Sequence, residues 1–155
     1  MRELAAVLGR ERVQLEFLLF KVLALQNLLR SGETRFLRWS VEEISRASER
    51  LRETECARVQ RVREMALAAG VPASEMSLGN LATTAPEPWR TIFADHDAGF
   101  RRLSVEVDRA FETTGALADA SGHVVGSLLK QAYRPAAPVA IGGPRRPQQQ
   151  TMILP

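Results

Sequence analysis

Asp95-His96-Asp97 is the one place in this sequence where two acids and an imidazole stand together, and His123 is the only other histidine. Carboxylates beside a histidine are the materials of proton transfer or of a metal site, provided that they converge on one point. Within a helix they do not converge, because neighbouring residues project about 100° apart. His123 has no Glu or Cys at ligand spacing, and no Glu-x-x-His pair of the di-iron bundle type occurs. No glycine-rich phosphate loop of the Walker or dinucleotide kind is present. Cys56 is the lone cysteine, which excludes a disulfide framework within the chain and a thiolate cluster for a metal. The sequence therefore predicts a protein that is not an enzyme, with no catalytic residue, metal or cofactor. His96 reads as a partly buried histidine paired with a neighbour.

The residues around that cluster belong to a longer pattern. From Trp89, alternating steps of four and three give Trp89, Phe93, His96, Phe100, Leu103, Val107, Ala110, Thr114, Leu117, Ser121, Val124 and Leu128. Such spacing marks a helix with a narrow apolar seam against other long helices. Trp89 to Leu128 is predicted as one rod of roughly 60 Å at ~1.5 Å per residue. Its first half carries large anchors, whereas its second half opens with Thr113-Thr114-Gly115 and later holds Gly122 and Gly126. Each interior glycine costs about 1 kcal/mol relative to alanine, so this half is weak as an isolated helix. It stays apolar all the same, through Leu117, Val124, Val125, Leu128 and Leu129. A weak helix with an apolar face is either a segment that gains order from a bound partner or a frayed terminal helix on its own bundle.

Two further helices are expected ahead of it. The first runs from about Leu4 to Leu29 with the seam Leu4, Leu8, Glu11, Leu15, Leu18, Val22, Leu25, Leu29, and ends at Gly32. Its stretch Phe17 to Leu25 is apolar nearly all round, which predicts a place between two other helices. The second extends from about Glu33 or Thr34 to Ala69, stopped by Gly70-Val71-Pro72, and returns antiparallel after a short turn. Its alternating charges, Arg58 among them, read as a solvated face. Residues 71–88 form the one long connection, with a short helical piece near Ser77 to Ala82. From Tyr133 the composition shifts to proline, glycine and glutamine, which predicts a disordered tail over residues 133–155 behind a helical domain over 1–132.

Charge narrows the function classes. The formal charge is +3, but Arg134, Arg145 and Arg146 lie beyond residue 132 and no acid does, so residues 1–132 balance to zero. No face presents a phosphate track, which argues against nucleic acid. The apolar run near the N-terminus is interrupted by Glu16 and Lys21 and lacks a small-residue cleavage site. This argues against a signal peptide or stable membrane insertion, and a cytoplasmic protein is expected.

Three stretches carry a resemblance. LEFLLFKVLALQNLLRSGETRFLRWS (Leu15 to Ser40), Leu51-Arg52-x-x-Glu55 with the Ala-rich turn and Pro72 after it, and PEPWRTIFADHDAGFRRLSVEVD (Pro86 to Asp108) resemble the FlgN family of flagellar type III export chaperones, in its high-GC Gram-positive form. The third stretch is the most specific. The resemblance implies an all-α, elongated bundle of three long antiparallel helices. It also implies a cytoplasmic chaperone that binds the C-terminal segments of flagellar hook–filament junction proteins and brings them to the export gate. Leu117, Val124, Val125, Leu128 and Leu129 are then the partner-binding candidates, and Tyr133 the candidate for docking to the export gate. The chain departs from the family pattern where it carries Thr113-Thr114-Gly115-Ala116-Leu117. A non-enzymatic coiled-coil scaffold or self-associating adaptor is the alternative, and it needs a symmetric partner for the Trp89 to Leu128 seam.

Overall fold

The computed structural model describes residues 1–122 and 125–132, with only the backbone of Lys130. It is all-α, and no strand occurs among the described residues. The helices are α1 (Arg2–Ser31), α2 (Leu37–Ala69), α3 (Leu78–Thr84), α4 (Trp89–Ala120) and α5 (Val125–Ala132). Single 3-10 turns at Thr34–Phe36 and Ala73–Met76 join them. Among the described residues five helices thus stand where three long ones and a short piece near Ser77 to Ala82 were expected, α3 being that piece and α5 the addition. The predicted rod from Trp89 to Leu128 is broken, because Gly122 takes a left-handed φ of 66° and ends α4. That conformation disfavours any residue with a Cβ, so a glycine read as a mere weakness of the helix is its terminus. The predicted tail and the candidates Val124 and Tyr133 lie outside the described residues.

Side-chain bridges set the directions of the long helices. Glu3 with Arg61, Glu11 with Arg58 and Lys21 with Glu43 pair rising numbers on α1 with falling ones on α2, so the two run antiparallel. Arg12 with Asp95 and Gln26 with the Ala110 carbonyl rise together, so α4 runs parallel to α1. α1 is the shared neighbour. α2 and α4 both pack along it without approaching each other, in keeping with the breadth of its apolar surface. The cleft left between α2 and α4 is closed at both ends. At one end the Ala73–Met76 turn lies on α2 and α3 lies on α4, while at the other α5 touches both.

The buried residues divide accordingly. Leu4, Leu8, Leu78, Leu81, Phe93 and Phe100 form one cluster at the α3 end. Leu18, Val22, Leu25, Ile44, Leu51, Val107, Ala118, Val125 and Leu129 are among the second, at the α5 end. Leu15 touches both. The same waist holds Glu11, 2% exposed, whose carboxylate accepts two hydrogen bonds from Arg58 Nε at 2.9 and 3.1 Å. Burial pushes the Glu11 carboxyl above its ordinary pKa, while Arg58 pulls it back down. Arg58, expected on a solvated face, is therefore a partner of the core. The other charges of α2 match that expectation better, with exposed pairs such as Arg38 to Glu42 and Arg52 to Glu49.

Candidate partner-binding site at the α4–α5 end

The α4 seam packs inward over most of its length. Phe93, Phe100, Leu103, Val107, Ala110 and Thr114 are buried, with Trp89, His96 and Leu117 half-buried. At Thr114 the seam turns polar without opening to solvent. Its hydroxyl donates to the Ala110 carbonyl at 2.6 Å, and Gln26 Nε2 of α1 donates to that same oxygen at 2.9 Å. Arg30 in turn donates to Gln26 Oε1 at 3.2 Å. A carbonyl with two donors is satisfied in spite of its burial, which is how a threonine is tolerated on this seam.

Past Ala120 the chain turns back. α5 starts close against the end of α4, since a Cβ on Gly126 would come within 2.7 Å of Asp119 Oδ1. From there α5 enters the cleft between α2 and α4 with Val125, Leu129 and Ala132 buried in the second cluster. Of the sequence-derived candidates, Val125 and Leu129 are thus core residues, 8% and 3% exposed, and Leu117 packs against the same core. Leu128 projects outward and is 42% exposed.

A groove runs along each side of α5. The one toward α2 has a volume of about 410 Å³, bordered by Val41, Ser45, Glu49, Arg52, Leu128 and Ala132 among others. The one toward α4 has about 380 Å³ and a mostly apolar lining of Phe111, Gly115, Ala116, Gly126 and Leu129, with Glu112 and Asp119 at its rim. Nothing stands within 4 Å of where a Gly115 Cβ would be. The glycines that weaken this region as a helix therefore shape the space beside α5.

Asp95, His96 and Asp97 diverge. Asp95 Oδ2 accepts from Arg12 of α1 at 2.8 Å, and Asp97 accepts from Arg101 on its own helix at 2.9 and 3.3 Å. His96 turns inward beside Phe100, its Nδ1 buried without a hydrogen-bond partner, and burial lowers its pKa below 6.5. The pairing to a neighbour expected for this histidine is not found, and the two acids are engaged elsewhere. No group of three metal-ligating side chains occurs among the described residues. None of the helices described is long and apolar enough to cross a membrane.

Reading the sequence alone misses two features, the Glu11–Arg58 pair and an exposed aromatic flank on α1 and α2. Glu11 had left a signal, as the one charge on an otherwise apolar seam. The flank had left only the all-round apolar width of Phe17 to Leu25. Comparison with known protein families, characterised proteins and solved structures finds no match to this chain.

Proposed function

We propose that this chain is an export chaperone of the FlgN type. In this reading it is an elongated, up-down-up bundle of three long helices. In the cytoplasm it holds the C-terminal segment of a hook–filament junction protein and carries it to the flagellar export gate. The observation that supports the reading is α5, an eight-residue helix seated by Val125, Leu129 and Ala132 in the cleft between α2 and α4. A cleft that accepts one short amphipathic helix has the shape and chemistry to accept another.

α5 is also held by little. Burying its valine and leucine contributes about 3 to 6 kcal/mol. Ordering eight residues of backbone costs about 8 kcal/mol or more before helical hydrogen bonds offset it. A client segment enters along Leu128 and engages Leu117, Val125 and Leu129 as α5 lifts, with Val124 on the same short stretch. Tyr133, directly after α5, is the proposed contact with the export gate.

The test is amide hydrogen exchange on the full chain, alone and with the C-terminal segment of a junction subunit from the same genome. Residues 113–132 are expected to exchange fast alone and to become protected on mixing. Leu128→Asp, at a half-exposed position, is expected to abolish binding and leave the helical content intact. Unchanged exchange on mixing, or unchanged affinity in the variant, removes the α4–α5 end as the client site.

A further inference from the structure

All the described aromatic residues of α4, namely Trp89, Phe93, Phe100 and Phe111, are at least partly buried, whereas all those ahead of it are exposed. Phe17 and Phe20 on α1, Phe36 in the first 3-10 turn and Trp39 on α2 all face outward, Phe20 and Trp39 by 59% and 62%. They share one flank of the α1–α2 pair. Glu3 with Arg61 and Lys21 with Glu43 bridge the helices at points 18 residues apart on each, about five whole turns, so both bridges mark the same side. The Lys21 ammonium lies 5.1 and 5.5 Å from the Phe17 and Phe20 ring centres. Trp39 is one turn before Glu43, and its ring meets that of Phe36 at 5.8 Å, with the Arg35 guanidinium 4.9 Å from the latter.

Along α1 the outward residues Val13, Phe17 and Phe20, with the half-buried Ala24 after them, recur in steps of four, three and four, the spacing of a helix-packing seam. Neither α2 nor α4 covers it. The charges beside it are unbalanced. Arg10, three turns before Lys21, and Arg50, two turns after Glu43, fall on this flank and have no carboxylate partner among the described residues, against one unbridged acid, Glu53, while Glu43 and Glu3 are neutralised by Lys21 and Arg61.

We propose that this flank docks a partner protein through an amphipathic helix with acidic sides. Its apolar stripe lies along Val13, Phe17 and Phe20 toward Trp39, and its carboxylates meet Arg10 and Arg50. The seam's helical period favours a helix over a lipid surface. The surface is separate from the client end, so the two partners bind at once.

The test uses the full chain carrying Trp89→Phe, which leaves Trp39 as its only tryptophan. The probe is a synthetic 22-residue helix with leucine at three- and four-residue spacing and glutamate on both sides. A counterpart carries lysine for each glutamate. The acidic helix is expected to shift Trp39 emission to the blue and to saturate, and the lysine helix to bind at least tenfold more weakly. Phe20→Ser, at an exposed site that leaves the circular dichroism spectrum unchanged, lowers affinity at least tenfold. Arg10→Glu with Arg50→Glu does the same and flattens the salt dependence. Leu128→Asp changes nothing in this assay, so failure of the client site and failure of this surface are told apart. Equal binding of both helices, or binding of neither, overturns the proposal. So does a blue shift that appears on concentrating the protein alone, which marks self-association, or one produced by vesicles containing phosphatidylserine and not by the acidic helix.

Discussion

Arg58→Met isolates the charge at the waist of the bundle. Glu11 is almost fully buried and takes its hydrogen bonds from Arg58, whose own side chain is 15% exposed. Removing one member of a buried pair costs about 3 to 5 kcal/mol, and the partial exposure of Arg58 points to the lower end, about 3. For a domain of this size that is a fall of roughly 10 °C in Tm.

The pH dependence follows from Glu11. Its folded pKa is raised by burial, first among the causes, and Arg58 opposes the rise. A carboxyl with a raised folded pKa contributes stability that is fully present below its unfolded value and is lost as pH rises through the folded one. Without Arg58 the folded pKa climbs further. The variant's deficit is therefore largest at neutral pH and shrinks as pH falls toward 4.5, the ordinary value for the group. Glu55, also raised by burial and also drawn down by Arg58, adds in the same direction. Urea unfolding followed by circular dichroism at pH 7 and pH 4.5 measures the difference. The double variant Glu11→Leu with Arg58→Met, which leaves no buried charge at Glu11, is expected to regain most of the loss. An equal deficit at both pH values, or a double variant as unstable as the single one, refutes the reasoning.

Two other outcomes are expected. His96, with its pKa lowered by burial, contributes stability that is present above pH 6.5 and is lost as pH falls through the folded value. Its ring protons should titrate below 6.5 by NMR, and His96→Leu should remove that part of the acid destabilisation. Leu129→Ala removes the most buried leucine of α5 at a cost of about 2 to 3 kcal/mol, limited by the stability of α5 itself. Amide exchange over residues 125–132, already fast in the parent chain, should become faster still, while the α1 and α2 amides keep their protection.

The helical class, the inward seam of α4 and the near extents of α1 and α2 were legible in the chain because they follow from local spacing. An apolar residue every three or four positions specifies both a helix and its buried side. Stop signals were legible for the same reason, with Gly32 and Gly70 ending α1 and α2 where expected. Gly122 was legible as a glycine and not as a turn. Whether a glycine weakens a helix or ends it depends on whether the following residues have somewhere to pack.

That is a non-local question, and the tertiary structure decided it. The cleft between α2 and α4 exists because both helices choose α1, and α5 turns back into it because Val125, Leu129 and Ala132 find the second core there. The same choice of neighbours took Arg58 from a run of surface charges to the side of Glu11. It also left Phe17 and Phe20 outside, on a helix whose apolar surface is wider than its two neighbours cover. Periodicity within a segment determines what a helix can bury, whereas the arrangement of the other segments decides which of those residues are covered.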